Sequence, residues 1–245
     1  MILQLLLEEK KMNYKGGLYH ETQIRLAYNS NRIEGSGLSE DQTRFMYETS
    51  SVLPENGGCI KTDDIVEMNN HFFLFNKMLN AIGQNLSHEM IKEYHYILKR
   101  GTSDERKEWF AVGDYKKLPN SVGVIETSKP ENVAADMRKL FDDYYKNETF
   151  NLNKIIDFHV KFEKIHPFQD GNGRIGRIIM FGECLKYNIT PFIIQDKNKA
   201  FYYRGLQKYP LKKSFLRETC LHEQDVYANR VEYFGKERSV KNEIP

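Results

Sequence analysis

The residues best suited to chemistry lie in one run, IHPFQDGNGRIGR, residues 165–177. Gly171 and Gly173 remove side chains where a backbone must approach a ligand. If a helix starts inside this run, its first N–H groups and positive dipole end face an anion. Arg174 and Arg177 stand three apart, hence neighbours on that helix, and their planar forks suit phosphate oxygens. Asp170 beside such a cradle is a reasonable Mg²⁺ ligand, since Mg²⁺ is usually held by one or two carboxylates plus phosphates. Across the loop, the imidazole of His166 could take a proton from an incoming hydroxyl.

Gly171 to Gly176 also spell a literal G-x-G-x-x-G. A dinucleotide-binding turn needs a buried strand before the first glycine and a βαβ unit around it. Here Ile155, Phe158, Phe162 and Ile165 recur at helical spacing, and Pro167 ends that helix. The context is helix, histidine, short loop, helix, so the dinucleotide reading fails.

The elements that must position this run are mostly helical. Tyr19, Leu26 and Ile33 recur at heptad steps, and Gly35 is placed to end their helix. Ser39 with Gln42 forms a capping-box start for SEDQTRFMYE. Thr62 or Asp63 is expected to cap the apolar segment that follows, and Ser87 opens a helix running to about Arg100. VGDYKKLPNSVGVIE is the exception: Val, Tyr and Ile around Pro119-Asn120 predict a hairpin over about 111–126. Pro130 suits the N-terminus of ENVAADMRKLFDDYYK. Two further helices cover AFYYRGLQKY and SFLRETCLHEQDVYANRVEYF, and the charged tail GKERSVKNEIP is expected to fray. The fold class is all-α with one small hairpin, in a single compact unit: N-terminal helices over 1–60, a core over 61–210, and a C-terminal helix and tail over 211–245.

The 245 residues, 40% hydrophobic and 13% aromatic, can bury an ordinary core. A formal charge of +2 leaves no polyanion footprint, so nucleic acid is not an expected partner. Cys59, Cys184 and Cys220 are scattered and lack metal-site spacing, which points to free thiols and a cytoplasmic location. The opening MILQLLLEEKK is too short to span a membrane and is poorly built as a signal peptide. No membrane association is expected. His159, seven residues before His166, lacks zinc-site spacing and reads as packing.

The run His166-Pro167-Phe168-Gln169-Asp170-Gly171-Asn172-Gly173-Arg174-Ile175-Gly176-Arg177 resembles the complete signature of the Fic (Fido) family, and the similarity extends over roughly Asn29 to Tyr209. That resemblance implies the Fic fold, a helical bundle with a β-hairpin flap. It also implies transfer of AMP from ATP, with Mg²⁺, to a Tyr, Thr or Ser hydroxyl of a protein target, this chain itself included. His166 would be the general base and Asp170 the Mg²⁺ ligand. Gly171, Asn172 and Gly173 would form an anion hole, with Arg174 on the phosphates and Arg177 on the γ-phosphate. Ile175 and Gly176 complete the nucleotide loop, and Phe168 would anchor it. The flap residues Val122, Gly123, Val124 and Ile125 would lie near the nucleotide and align a target segment by strand addition. Tyr202 and Tyr203 resemble the aromatics of the adenine pocket. The chain departs from common members at Lys116 (often Arg), Val124 (often Gly) and Pro210 (Asn in some). The intact Gly-Asn-Gly-Arg argues against the kinase-type relatives.

Many Fic proteins carry an inhibitory [S/T]-x-x-x-E-[G/N] helix, and Ser30 to Gly35 fits it. Two further matches, at 51–56 and 127–132, have Pro54 and Pro130 just before their Glu, which disfavours one helical face. Ser30 and Glu34 share a face at i, i+4. The expectation is an auto-inhibited enzyme in which Glu34 pairs with Arg177. Two alternatives stay open: removal of AMP at the same site, with Glu34 orienting water, and a non-catalytic nucleotide-binding regulator. The target and the oligomeric state are not legible, a homo-oligomer included.

Overall fold

The computed structural model describes residues 2–53, 59–122 and 125–242. Ten α-helices run in the order α1 (Ile2–Lys11), α2 (Leu18–Ile33), α3 (Glu40–Thr49), α4 (Thr62–Asn80), α5 (His88–Lys99), α6 (Val133–Tyr145), α7 (Leu152–Ile165), α8 (Asn172–Lys186), α9 (Lys199–Lys208) and α10 (Ser214–Asn242) among those residues. The signature therefore spans the α7–α8 turn. Nearly every side chain of α8 from Asn172 to Leu185 is buried, and α8 packs against α1, α2, α4, α5 and α7. Such an all-round buried helix sits inside its neighbours rather than on the surface. Its start is thus fixed by the whole interior.

The largest apolar cluster runs from Leu6 and Leu18 through Phe75, Ile91 and Phe162 to Tyr227. A second gathers Ile155, Met180, Tyr202 and Leu216 around the α7–α8–α9 side. A third, with Ala27, Leu38, Met46 and Met68, fastens α2 and α3 to α4. Cys184 and Cys220 lie buried in the second cluster, and all three cysteines are free.

Local signals behave as the sequence predicts at several ends. Ser39 accepts from Gln42 N and Gln42 answers Ser39 N, a full capping box on α3. Ser87 caps α5 through Met90 N, and Gly35 turns the chain after α2 with φ of 95°.

Three expectations need correction. Neither Thr62 nor Asp63 caps α4: Lys61 holds the cap position without a side-chain bond. Asp63 instead accepts from Ser103 N at 2.8 Å, tying α4 to the loop after α5. The hairpin is also shorter than 111–126. Only Ser121–Val122 (β1) and Ile125–Glu126 (β2) pair, antiparallel, with Ser121 opposite Glu126 and Val122 opposite Ile125. Residues ahead of Ser121 have other partners, since Asp114 N closes on Ala111 O and Lys116 N donates to Pro167 O at 2.9 Å. Finally, α10 continues through the charged tail to Asn242, aided by an i, i+4 pair of Lys236 with Glu232.

Candidate active site

His166 caps α7 in the left-handed region, φ 50°, with its N–H still closed on Phe162 O. Pro167 disfavours continued helix at the residue before it, so the chain turns here and the imidazole leaves the helix axis. Nδ1 lies 3.3 Å from Glu163 O. A carbonyl only accepts, so Nδ1 carries the proton and Nε2 keeps its lone pair. Burial, with Lys116 nearby, lowers the His166 pKa against the weaker opposing pull of Glu163, Glu34 and Asp170. The ring is therefore neutral and able to accept a proton.

The loop after it is clamped from inside. Phe168 is fully buried and stacks on His95 at 4.1 Å between ring centroids. Asn172 Oδ1 accepts from Phe168 N at 2.8 Å, and its Nδ2 donates to Phe168 O at 2.8 Å. The Asn172 side chain thus shapes the loop and leaves anion contact to backbone N–H groups. Gly171 adopts φ of 83°, and a Cβ there would come within 3.2 Å of Leu98 Cδ2. A Cβ on Gly173 would stand 2.2 Å from Glu34 Oε1, so only glycine admits that carboxylate against the loop.

Arg177 is buried and faces α2: Nε donates to Ser30 Oγ at 3.0 Å, and Nη2 to Ser30 O at 2.9 Å and Glu34 Oε1 at 2.7 Å. Its Nη1 is buried without a partner. Glu34 follows the last turn of α2 as its C-cap, and 29% of its side chain is exposed. Of the three matches to the inhibitory pattern, this one reaches Arg177. At 127–132, Thr127 binds Asn120 and Lys116, and Glu131 is exposed in a 3₁₀ turn, Pro130–Asn132. Pro54 and Glu55 of the remaining match lie outside the described residues.

Arg174 points the other way. Its Nη1 bonds Glu67 of α4 and Asn31 of α2, and its Nη2 bonds Asp170 Oδ2 at 2.9 Å. It braces Asp170 and does not line the cleft described below. Burial would raise the Asp170 pKa, but Arg174 and Lys99 hold it well below the usual carboxylate range. With 47% of its side chain exposed, Asp170 is an ionised oxygen donor at the loop's edge, which fits a hard cation such as Mg²⁺.

A cleft of about 830 Å³ is lined by Glu34, Glu163, His166, Gly173, Arg177 and Tyr203 and bordered by Ser121, Thr127 and Pro210, and Asp170 lies outside this lining. Tyr203 is 44% exposed and its hydroxyl donates to Ile33 O at 3.1 Å. Tyr202 is 1% exposed, shares a hydrogen bond with His159 Nε2 at 2.7 Å and lies under Arg177. Tyr203 is thus the ring available to a base, while Tyr202 supports it. Burial pushes the His159 pKa down to about 3, so it is a neutral packing residue. Gly123 and Val124 lie outside the described residues, and Val122 and Ile125 enter only as the ladder pair.

Sequence reasoning missed several residues, and met Lys116 only as a departure from the family pattern. Lys116 Nζ reaches Asn120 Oδ1 at 2.6 Å and Thr127 Oγ1 at 2.7 Å, and Asn120 Nδ2 donates to Phe168 O at 2.9 Å. The hairpin base is therefore fastened to the signature loop by a buried lysine, whose pKa burial lowers to about 8. Glu163 lies between His159 and His166, at 3.9 and 3.8 Å, and burial pushes it up to about 8 against the pull of Arg177. Lys99 and Glu67 brace the loop from beneath. Glu163 stands on α7 at i, i+3 from His166, but no spacing signal links Glu67, Lys99, Lys116 and Asn120 to the signature, because they come from α4, α5 and the segment after it.

The Fic/DOC family model matches residues 85–182. The chain is 26% identical over 234 residues to protein adenylyltransferase fic-1 of Caenorhabditis elegans, covering 93% of this chain and 44% of that protein. It is 25% identical over 193 residues to protein adenylyltransferase Fic of Nematostella vectensis, covering 77% and 43%. The chain thus spans less than half the length of these relatives. A Fic-domain signaling protein from Bacteroides thetaiotaomicron superposes with a TM-score of 0.75 at 21% identity, covering 95% of this chain and 94% of that one. Fic-1 of C. elegans superposes at 0.72 and 22%, covering 94% and 68%. Residues 85–182 thus match the Fic/DOC domain, and the chain has the Fic fold. No helix among the described residues is long and apolar enough to cross a membrane.

Proposed function

We propose that the protein is an auto-inhibited adenylyltransferase that moves AMP from ATP to a Tyr, Thr or Ser hydroxyl of a protein, itself included. The observation that carries this reading is the Glu34 carboxylate, 2.7 Å from Arg177 and pressed against Gly173. A carboxylate held by an arginine at a helix N-terminus stands where a phosphate would bind.

In the transfer, the triphosphate lies along the N–H groups at the start of α8, and Tyr203 lies beside the base. The target hydroxyl attacks the α-phosphorus while His166 Nε2 takes its proton. The new oxygen–phosphorus bond forms as the bond to the α–β bridging oxygen breaks, and pyrophosphate leaves. Asp170 would hold Mg²⁺, which when bound offsets phosphate charge. Glu34 on Arg177 keeps that guanidinium from the γ-phosphate and repels the triphosphate. Misplacement of about 1 Å can cost ~10²-fold in rate. Glu34 also lines the cleft with His166, which supports a second reading, removal of AMP with Glu34 orienting a water.

The test is incubation with labelled ATP and Mg²⁺, with mass spectrometry for added AMP. Glu34→Gly is expected to transfer AMP at least ~10-fold faster than the unmodified chain, on the scale of that misplacement cost. Equal rates end the inhibitory assignment. Loss of AMP release from a pre-modified target in the same variant favours the second reading.

A further inference from the structure

Beneath the loop, Glu67 on α4, Asp104 in the 3₁₀ turn Ser103–Arg106 and Asp170 each bring a carboxylate oxygen within 4.8 Å of the other two. Oxygen donors so grouped suit a hard divalent cation. Here the ammonium of Lys99 fills the centre. Its Nζ lies 2.5 Å from Glu67 Oε1, 2.6 Å from Asp104 Oδ2 and 2.7 Å from Asp170 Oδ2. An ammonium has three donors, and each meets one acceptor. Lys99 is only 2% exposed, and a buried charge persists only when paired in this way. The AMP-transfer scheme makes no use of it.

The arrangement has two consequences for Asp170. Its Oδ2 is held from both sides, by Lys99 at 2.7 Å and by Arg174 at 2.9 Å, while nearly half of the side chain stays exposed. The charge count matters as well. Three carboxylates against Lys99, Arg174 and Lys107, which meets Asp104 Oδ1 at 2.5 Å, leave the group neutral, whereas the same group without Lys99 would carry one net negative charge.

We propose that Lys99 is a positioning residue for the divalent cation: its ammonium is a resident cation that pins Asp170 and keeps metal from settling between Glu67 and Asp104. The inference rests on the reading of the site as one for ATP with Mg²⁺. Lys99 joins α5, α4 and the signature loop, so a single side chain both aims the metal ligand and fills the space beneath it.

Mn²⁺ in place of Mg²⁺, followed by electron paramagnetic resonance with and without ATP, tests this. The unmodified chain is expected to bind Mn²⁺ weakly alone and more tightly with ATP. Lys99→Met should bind Mn²⁺ alone at least ~10-fold tighter, the scale of changes beside a metal ligand, and ATP should add little. Mn²⁺ should raise the melting temperature of that variant and not of the parent. Lys99→Gln should shift in the same direction, and Lys99→Arg should return towards the parent. Titrations of the neutral variants that superimpose on the parent, with and without ATP, overturn the proposal. If the neutral variants fold only poorly, rescue of folding by Mn²⁺ supports it and absence of rescue overturns it. Should ATP fail to tighten Mn²⁺ on the unmodified chain, the functional reading falls, while the nucleotide-free comparison still judges Lys99.

Discussion

Arg174 and Arg177 sit three residues apart on one helix, both buried, both paired with carboxylates, yet their surroundings differ. Arg177 meets Glu34, a helix-end residue whose side chain is 29% exposed, at the wall of the cleft. Arg174 meets Glu67, 13% exposed, and Asp170, 47% exposed but held at the same oxygen by Lys99, inside a network that also includes Asn31. A partner that can swing into water can be exchanged for a phosphate. One locked between α4, α5 and α8 cannot be. On the proposed reading, the same residue type gives a removable latch on one face of the helix and a fixed brace on the other.

If the cleft face does the chemistry, a change there should cost rate and spare the fold. His166→Asn tolerates the left-handed backbone but supplies no base. Transfer by a Glu34→Gly background should fall by at least ~10²-fold, with ATP affinity by calorimetry little changed. Transfer at the background rate would remove His166 from the mechanism.

The two arginines should separate next in thermal melts. Arg174→Met strips a partner from a buried network and should cost about 3 kcal/mol, the low end for such pairs because Lys99 still holds Glu67 and Asp170. Arg177→Met releases Glu34 towards solvent and should cost about 1 kcal/mol, as for an ordinary hydrogen-bonded side chain. Equal losses would erase the distinction between brace and latch.

A pH series sharpens the comparison on the cleft side. Burial raises Glu163 to about 8 in the folded chain from an ordinary 4.5. The folded state therefore holds a proton that the unfolded chain has lost between those values. This contribution is complete below about 4.5 and is lost as pH rises to about 8. Neutral His159 works in the opposite sense below its ordinary 6.5, which confines the clean window to pH 6.5–8. In that window the parent should lose melting temperature relative to Glu163→Gln, by about 2–4 °C per kcal/mol. Parallel pH profiles of the two proteins would show that Glu163 is not the proton holder.

The smallest effect is expected at Glu131, exposed in its 3₁₀ turn. Glu131→Gly should leave AMP transfer unchanged and stability within about 0.5 kcal/mol. Activation matching that of Glu34→Gly would show that the latch is not specific to α2.

Much of this site was legible in the residues themselves. Local rules fix local events: Pro167 stops α7, Gly171 needs its positive φ, Ser39 and Gln42 cap α3, and Ser30 and Glu34 share a face. The run from His166 to Arg177 is contiguous, so its order alone suggests the roles of base, carboxylate, glycines and arginines that the proposed function uses. The hairpin was legible only as turn-forming composition, since Lys116 and Asn120 spend their hydrogen bonds on the signature loop and not on a partner strand. Which way each arginine faces was decided by packing. The 3.6-residue turn sets Arg174 and Arg177 about 60° apart around α8, enough to point one at α2 and the cleft and the other at α4 and α5. Lys99, Glu67 and Asp104 meet Asp170 only because three separate segments converge beneath the loop. Sequence spacing carries no trace of such a meeting, since burial of the charges, and with it their pairing, exists only once the interior has closed.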